Sequence, residues 1–255
     1  MRNFLSFLVL ILLANAVSAQ TFSAQEYYQL RDGNVWRYTA PPTWKAGDYI
    51  SQIVADEKGF LRLYQDSQST ERTGDSFTIS GSRDKGAKAF RHYDATKAAK
   101  LLLLNKNGIY YVGEEFAGGE SYARFDVPIL WFPAKLKLGD KIEAKASFTR
   151  IYKDGKRQRG TFEVKQKIAA VEDATVTAGT FKNCLRVESE TFWELGDGRK
   201  ARSINVYHYA KDVGVVKASA RFIILDANGK ELINRLVETD LKSATVNGKS
   251  IPQKS

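Results

Sequence analysis

One stretch constrains this chain more than any other, Thr177 to Lys217. From Phe181 the odd positions read Phe181, Asn183, Leu185, Val187, Ser189, Thr191 and Trp193. The even positions read Lys182, Cys184, Arg186, Glu188, Glu190, Phe192 and Glu194. Successive side chains of a strand point to opposite faces, so one face here is apolar or β-prone and the other is charged. Gly196-Asp197-Gly198 then supplies residues that tolerate positive φ, as a tight hairpin needs. The return passes through Tyr207-His208-Tyr209-Ala210 to Val213-Gly214-Val215-Val216-Lys217. Beyond it Val216, Ala218, Ala220, Phe222 and Ile224 share a face. A period of two between turn residues reads as two long antiparallel strands with a third following.

The same pattern recurs elsewhere. Residues 35–38 form a first short strand, and Pro41-Pro42 ends it. Asp48 to Asp56 and Gly59 to Asp66 make a hairpin through Glu57-Lys58-Gly59. Ser67 to Lys88 is polar and reads mainly as loop, with room for a short strand at Ser76 to Ser80. Asp94 is a candidate helix cap. Leu101–Leu104 and Ile109–Val112 instead fit a hairpin turning at Asn107-Gly108. Pro128 to Pro133 reads as a linker between two parts of the sheet. Ile142, Ala144, Ala146 and Phe148 share a strand face, as do Phe162, Val164, Ile168 and Ala170. Asp226-Ala227-Asn228-Gly229 turns into a last strand, Lys230 to Leu241, and the polar residues 242–255 read as a loosely held tail.

The expected fold is therefore all-β, with few or no helices. It is a large curved antiparallel sheet, a half-barrel or open barrel, in one domain over residues 20–241. Leu30-x-x-Gly33-Asn34-x-Trp36 and Leu136-x-x-Gly139-Asp140-x-Ile142 match in spacing. They suggest a duplication whose halves meet near residue 134, although one matching heptapeptide fits coincidence equally well.

Residues 1–19 have the form of a secretory signal peptide. Arg2 is basic, Phe4 to Ala14 is apolar, and Val17-Ser18-Ala19 offers small residues before a cut at Gln20. The apolar run is shorter than the ~20 residues that span a bilayer. An exported, periplasmic or extracellular protein is expected. Cys184 is the single cysteine, so no intramolecular disulfide forms. A small buried strand residue is the plainer reading of it than a catalytic thiol.

Catalytic chemistry is sparse. His92 and His208 are the two histidines and lie far apart in sequence. That argues against zinc hydrolases and most histidine-based triads. No nucleophile elbow, phosphate loop or dinucleotide fingerprint is present. Glu188 and Glu190 share a face with Arg186, which reads as a solvated charged strip rather than a glycosidase pair. Glu114 and Glu115 point to opposite faces of a strand. The chain reads as non-enzymatic, with no cofactor, metal or catalytic residue assigned. The formal charge is +10. Lys153, Lys156, Arg157 and Arg159 cluster around one hairpin, and Lys165 and Lys167 share a strand face. Solubility accounts for such a surplus. For an exported protein its anionic partners would be lipid headgroups or acidic glycans rather than nucleic acid.

Three motifs carry a resemblance. They are Tyr28-x-Leu30-x-x-Gly33-Asn34-x-Trp36-x-Tyr38, Ala178-Gly179-Thr180-Phe181, and Tyr207-x-Tyr209-Ala210-x-x-Val213-Gly214-Val215-Val216-Lys217. Together they resemble the TapB-like family of secreted bacterial proteins of unknown function. The family commonly has proline in place of Gln29 and glycine in place of Asp212. Its architecture is similar to the half-barrels of LolA- and LolB-like lipoprotein carriers, a curved sheet whose concave side holds an acyl chain. The resemblance implies a lipid-like or other apolar ligand on that concave face and names no active site. Trp36, Tyr38, Tyr207 and Tyr209 read first as core filling. An envelope protein-interaction or assembly module is the alternative function.

Overall fold

The structure is a computed structural model that describes residues 20–39, 49–55, 78–79, 82–83, 88–93, 98–116 and 120–251. The expected signal peptide, the Glu57–Gly59 turn, the Asp94 cap and most of the 67–88 segment lie outside these residues. The chain begins with β1 (Thr21–Ser23) and one short helix, α1 (Ala24–Tyr27). Then come β2 (Val35–Tyr38), β3 (Tyr49–Ala55), β4 (Thr78–Ile79), β5 (Ser82–Arg83) and β6 (Lys88–Tyr93). β7 (Ala99–Asn105), β8 (Gly108–Glu115), β9 (Ser121–Pro133) and β10 (Lys135–Lys137) follow. The long strands are β11 (Lys141–Tyr152), β12 (Arg157–Val176), β13 (Gly179–Glu194), β14 (Lys200–Ala210), β15 (Gly214–Leu225) and β16 (Glu231–Val246). β17 (Lys249–Ile251) ends the described chain.

The main sheet runs in the order β15-β14-β13-β12-β11-β9-β8-β7-β6-β3-β2-β16, with β17 attached to β16. β15 also pairs with β16, so the antiparallel ladders form a ring of twelve strands. The all-β, strongly curved sheet expected from the alternating pattern is what the chain forms, and its curvature is carried to a full ring. A ring of about eight strands is just filled by its own side chains, so twelve strands enclose more room than the wall can fill.

Two expectations are corrected. Pro128 to Pro133 is no linker but the second half of β9. Pro128 sits where the ladder slips, between Ile129 and Arg124, and Pro133 ends the strand opposite Gly108. β9 pairs with β11 over Ser121–Phe125 and with β8 through two register shifts, so a missing amide donor is tolerated in the slip and at the strand's end. The loosely held tail does not start at Lys242. β16 continues to Val246 and β17 follows. Asn247 donates its backbone N–H to Asn34 Oδ1 at 2.8 Å and its side-chain amide to Gln29 Oε1 at 2.9 Å. Residues 252–255 lie outside the described chain. The expected hairpin of β7 and β8 is present, with Asn105 opposite Gly108 and Lys106-Asn107 at the tip. Gly108 is required there, because a Cβ would lie 2.2 Å from the Phe132 carbonyl oxygen.

The two matching heptapeptides share a structure as well as a spacing. Gly33 donates its N–H to the Ile53 carbonyl at 3.1 Å, and Gly139 donates to Ile168 at 2.8 Å. Ile53 and Ile168 donate back to Asn34 at 2.9 Å and Asp140 at 3.0 Å. Asn34 bonds Arg31, and Asp140 bonds Lys137, in the same way. Each motif thus clamps the start of a strand onto a fully buried isoleucine.

Candidate functional site

The three signature motifs meet at one end of the barrel, here the lower end, where β13 begins and β14 finishes. Trp36 donates its indole N–H to the Val213 carbonyl at 2.7 Å, and Tyr38 donates its hydroxyl to the Val215 carbonyl at 2.9 Å. Ala178 donates its N–H to the Leu241 carbonyl at 2.8 Å, and Leu241 pairs with Tyr38. Tyr28 stacks on Tyr209 with ring centroids 5.9 Å apart. The motifs are therefore one interlocked plug, not three separate features. Trp36, Tyr38 and Tyr209 are core, and Tyr207 is half-buried. Helix α1 and the strand before it cross beneath, held by Ala24 N–H to Ala134 and Asp212 N–H to Glu26.

Gln29 and Asp212 both fit this plug. The Gln29 side chain donates to the Glu26 carbonyl at 2.6 Å, covering an open carbonyl at the end of α1. Asp212 takes φ 60°, the left-handed region that glycine adopts freely and aspartate tolerates.

Within the plug lies a polar cluster that sequence reasoning missed. His92 Nε2 is 2.6 Å from Ser51 Oγ, and His92 Nδ1 is 2.8 Å from Tyr28 Oη. Ser51 and His92 come from facing strands, and Tyr28 from the N-terminal segment. No spacing in the sequence announces them; only the pairing of Ile53 with His92 brings them together. Burial, and then the nearby Lys100 cation, push the His92 imidazole down to about 3, so it is neutral. Burial raises the Tyr28 phenol, which keeps its proton. The neutral ring has one proton. On Nδ1 it is donated to Tyr28, and Ser51 donates to Nε2. On Nε2 it is donated to Ser51, and Tyr28 donates to Nδ1. The first tautomer has the connectivity of an activated nucleophile. Yet Ser51 is 5% exposed, and the cavity lined by Tyr28, His92, Tyr38 and Tyr209 holds about 20 Å³, room for one water. The cluster satisfies its own hydrogen bonds inside the plug.

The inner wall above the plug can be read from the register. Phe162, Trp193, Ala201, Ile224 and Ile233 lie side by side. Val164, Thr191, Ser203, Phe222 and Arg235 form the next row. Gln166, Ser189, Asn205, Ala220 and Val237 form the row beneath. Over β12 and β13 this face is sealed by aromatic packing, with Phe162 and Trp193 centroids 4.5 Å apart and Phe125 stacked on Phe162. Over β15 and β16 it is not: Phe222 is 45% exposed and Ile233 46%. The lowest row carries no charge and is polar over β12, β13 and β14. Gln166 Nε2 and Ser189 Oγ are buried opposite one another and find no partner among the described residues. Ser203 donates to Asn205 Oδ1 at 2.7 Å. This concave face thus offers an open apolar rim over buried polar groups with unused hydrogen-bonding capacity.

The residues singled out in the sequence lie elsewhere. Cys184 is fully buried, and burial pushes its thiol up to about 11. His208 Nε2 contacts Glu172 Oε1 at 2.8 Å on the outer face. Glu188 pairs with Arg186, Glu190 with Arg202, and Glu115 with Arg91. Lys165 pairs with Glu163 and faces Glu190, and Lys167 faces Glu188, so this strip alternates in sign. Arg159 pairs with Asp126. None of these carboxylates, cations or histidines gathers with His92. Among the described residues no group of three His, Cys, Asp or Glu side chains is placed to hold a metal, and no helix is long and apolar enough to cross a membrane.

No family model matches the chain, and no curated protein does. Two solved structures are similar in fold. One is a Bacteroides fragilis protein described as exported, with a YmcC-like fold. It is 11% identical, with 86% of this chain and 98% of that chain covered and a TM-score of 0.44. The other, from Parabacteroides distasonis, is described as a lipoprotein. It is 13% identical, with 86% and 97% covered and a TM-score of 0.37. Likeness at this distance carries no functional argument, so function is argued from this chain's own residues.

Proposed function

We propose that this is an exported, non-enzymatic barrel that holds a lipid-like or other apolar ligand against the inner face of β13 to β16. The observation that carries the reading is the exposure of Phe222 and Ile233. Both point to the inside of the ring by register, yet nearly half of each is open. Inward-facing apolar side chains of a β-barrel are ordinarily covered by the opposite wall. Covering these two with a ligand's hydrocarbon would gain about 25 cal/mol per Å² of apolar surface removed from water. The buried donors of Gln166 and Ser189 suit a ligand that also carries a neutral polar group, such as an ester or amide. The basic n-region, apolar run and small-residue cleavage pattern of residues 1–19 support export.

The experiment is native mass spectrometry of the protein purified after export without detergent, followed by titration with a fluorescent fatty acid. A stoichiometric adduct of lipid-like mass, lost in Phe222→Ser, is the expected result. A clean apo mass together with no fatty-acid binding rejects the reading.

A further inference from the structure

The inner wall of β12 to β16 carries one formal charge over its three upper rows. That charge is Arg235, opposite Phe222 and between Ile233 and Val237 on its own strand. Arg235 is exposed, and it makes no hydrogen bond, ion pair or ring contact among the described residues. The acids of its strand are turned away from it. Glu238 and Asp240 lie opposite Ser219 and Lys217 on the outer face. Glu231 lies opposite Leu225, beyond the bulge, and accepts from the Asn234 side chain.

The far wall supplies no counter-charge. From the plug upward, its inward ionised residues among those described are Lys100, Glu114 and Arg150. Lys100 faces Glu114 across the ladder and lies over the Trp131 ring, 5.1 Å from its centre. Glu114 accepts from the Tyr111 hydroxyl. Arg150 lies 4.0 Å from the centre of the Phe116 ring and donates to Ser121 Oγ at 3.0 Å. Cations thus outnumber acids inside the barrel, and Arg235 is the inward cation with no local partner. A charge at this place has a plainer use. Above Leu241, β15 is the only ladder neighbour of β16 among the described residues, and an inward charge keeps such an edge from pairing with another chain. That use is served by either sign, so it does not account for the excess of one sign over the whole inner surface.

We infer that the ligand is an anionic amphiphile, a carboxylate or phosphate monoester on a hydrocarbon chain, whose head pairs with Arg235 while the adjoining methylenes cover Phe222 and Ile233. A guanidinium takes either head through two parallel N–H···O bonds. Directly opposite residues on one sheet face lie about 5 Å apart, so a head on Arg235 leaves the first methylenes on the Phe222 ring. Ser189 is three strands further on, roughly 14 Å at the usual strand spacing. The charged head and the buried polar row therefore take different parts of one ligand. The inference rests on the reading that the barrel holds an apolar ligand, and it adds the class of that ligand and the residue that selects it.

The test is displacement of N-phenylnaphthylamine, a neutral fluorescent probe, from the exported protein at neutral pH. The competitors are a fatty acid, an alkyl phosphate and a fatty alcohol of one chain length. The wild type takes at least one of the two anions about tenfold more tightly than the alcohol, and salt weakens that preference. Arg235→Gln brings the anions down to the alcohol's affinity and leaves the alcohol unchanged, whereas Arg235→Lys keeps part of the preference. The side chain is exposed and unbonded, so both variants keep the wild-type circular dichroism and melting temperature. If Arg235→Gln melts early, the wild-type preference, its salt dependence and Arg235→Lys decide. Equal affinity of the wild type for anions and alcohol overturns the inference and leaves the barrel reading standing. So does an Arg235→Gln protein that keeps the preference, which would leave Arg235 as a guard of the strand edge. A protein that binds neither the probe nor any of the three competitors overturns the barrel reading and this inference with it. Phe222→Ser tells the two apart, since it weakens anions and alcohol alike, and Arg235→Gln weakens the anions alone.

Discussion

Trp36 donates its indole N–H to the backbone carbonyl of Val213 at 2.7 Å, across 177 positions of chain. Gly214, the next residue, has φ +102°, and a Cβ there would lie 3.2 Å from the Trp36 ring. The glycine is required on both counts, since it adopts the backbone conformation and makes room for the indole. Trp36→Phe leaves the Val213 carbonyl unpaired and should cost about 1–3 kcal/mol. Gly214→Ala should cost upwards of about 1 kcal/mol through strain. At this chain length each kcal/mol lowers Tm by roughly 2–4 °C. Because the two residues touch, the double variant should lose less than the two single losses combined, and a thermal double-mutant cycle measures the difference. Strict additivity would mean that the ring and the glycine act separately.

His92 makes stability depend on pH. Its folded value, near 3, lies below the ordinary 6.5. Above 6.5 the ring is neutral in both the folded and unfolded chain and contributes no slope. As pH falls below 6.5, the unfolded chain takes up a proton that the folded protein refuses. Stability should then decline by about 1 kcal/mol per pH unit until the folded ring protonates near 3. Urea unfolding from pH 7.5 down to about 5, before most carboxylates titrate, reads the effect. His92→Gln should flatten that slope. An equally steep decline in the variant would place the effect on other groups.

Cys184 gives a prediction about reactivity. The side chain is fully buried, and its thiol is pushed up to about 11, so little thiolate exists near neutral pH. A thiol reagent should leave the native protein unmodified over hours and react promptly in urea. Rapid modification without denaturant would show that the β12–β13 hairpin opens locally.

The long strands were legible because each keeps a period of two over many residues, as Leu185 to Trp193 does. The ring was less so. Closure depends on β16 pairing with β15 through its first half and with β2 through its second, and no local pattern encodes a change of partner. The tail from Lys242 was misread for a similar reason. Its polar residues lack alternation, but Asn247 is held by Asn34 and Gln29 from the far end of the chain. The motif aromatics were correctly read as packing, although their mutual contact required the fold. The Ser51–His92–Tyr28 cluster was invisible because its three elements are joined only by strand pairing and by the N-terminal crossing. Gln166 and Ser189 were hidden among inward residues of strands whose pattern averages as apolar.

Gln166 and Ser189 supply the remaining prediction. Both are buried and directly opposite one another, and Gln166 Nε2 and Ser189 Oγ find no partner among the described residues. Replacing an unsatisfied polar group by an apolar one of similar shape is near neutral, so Gln166→Leu with Ser189→Ala should change stability by less than about 1 kcal/mol. A much larger loss would mean that water bonds to the pair are holding the fold. If instead the pair receives the polar group of a ligand, the effect appears in selectivity. The double variant should bind a fatty-acid methyl ester about tenfold more weakly, the worth of one hydrogen bond to a neutral acceptor. It should bind an alkane of the same length as the wild type does, because that ligand uses only the apolar wall around Phe222 and Ile233. Competition against a fluorescent fatty acid measures both. Equal weakening for ester and alkane would assign the row a packing role and leave the apolar rim as the sole determinant of binding.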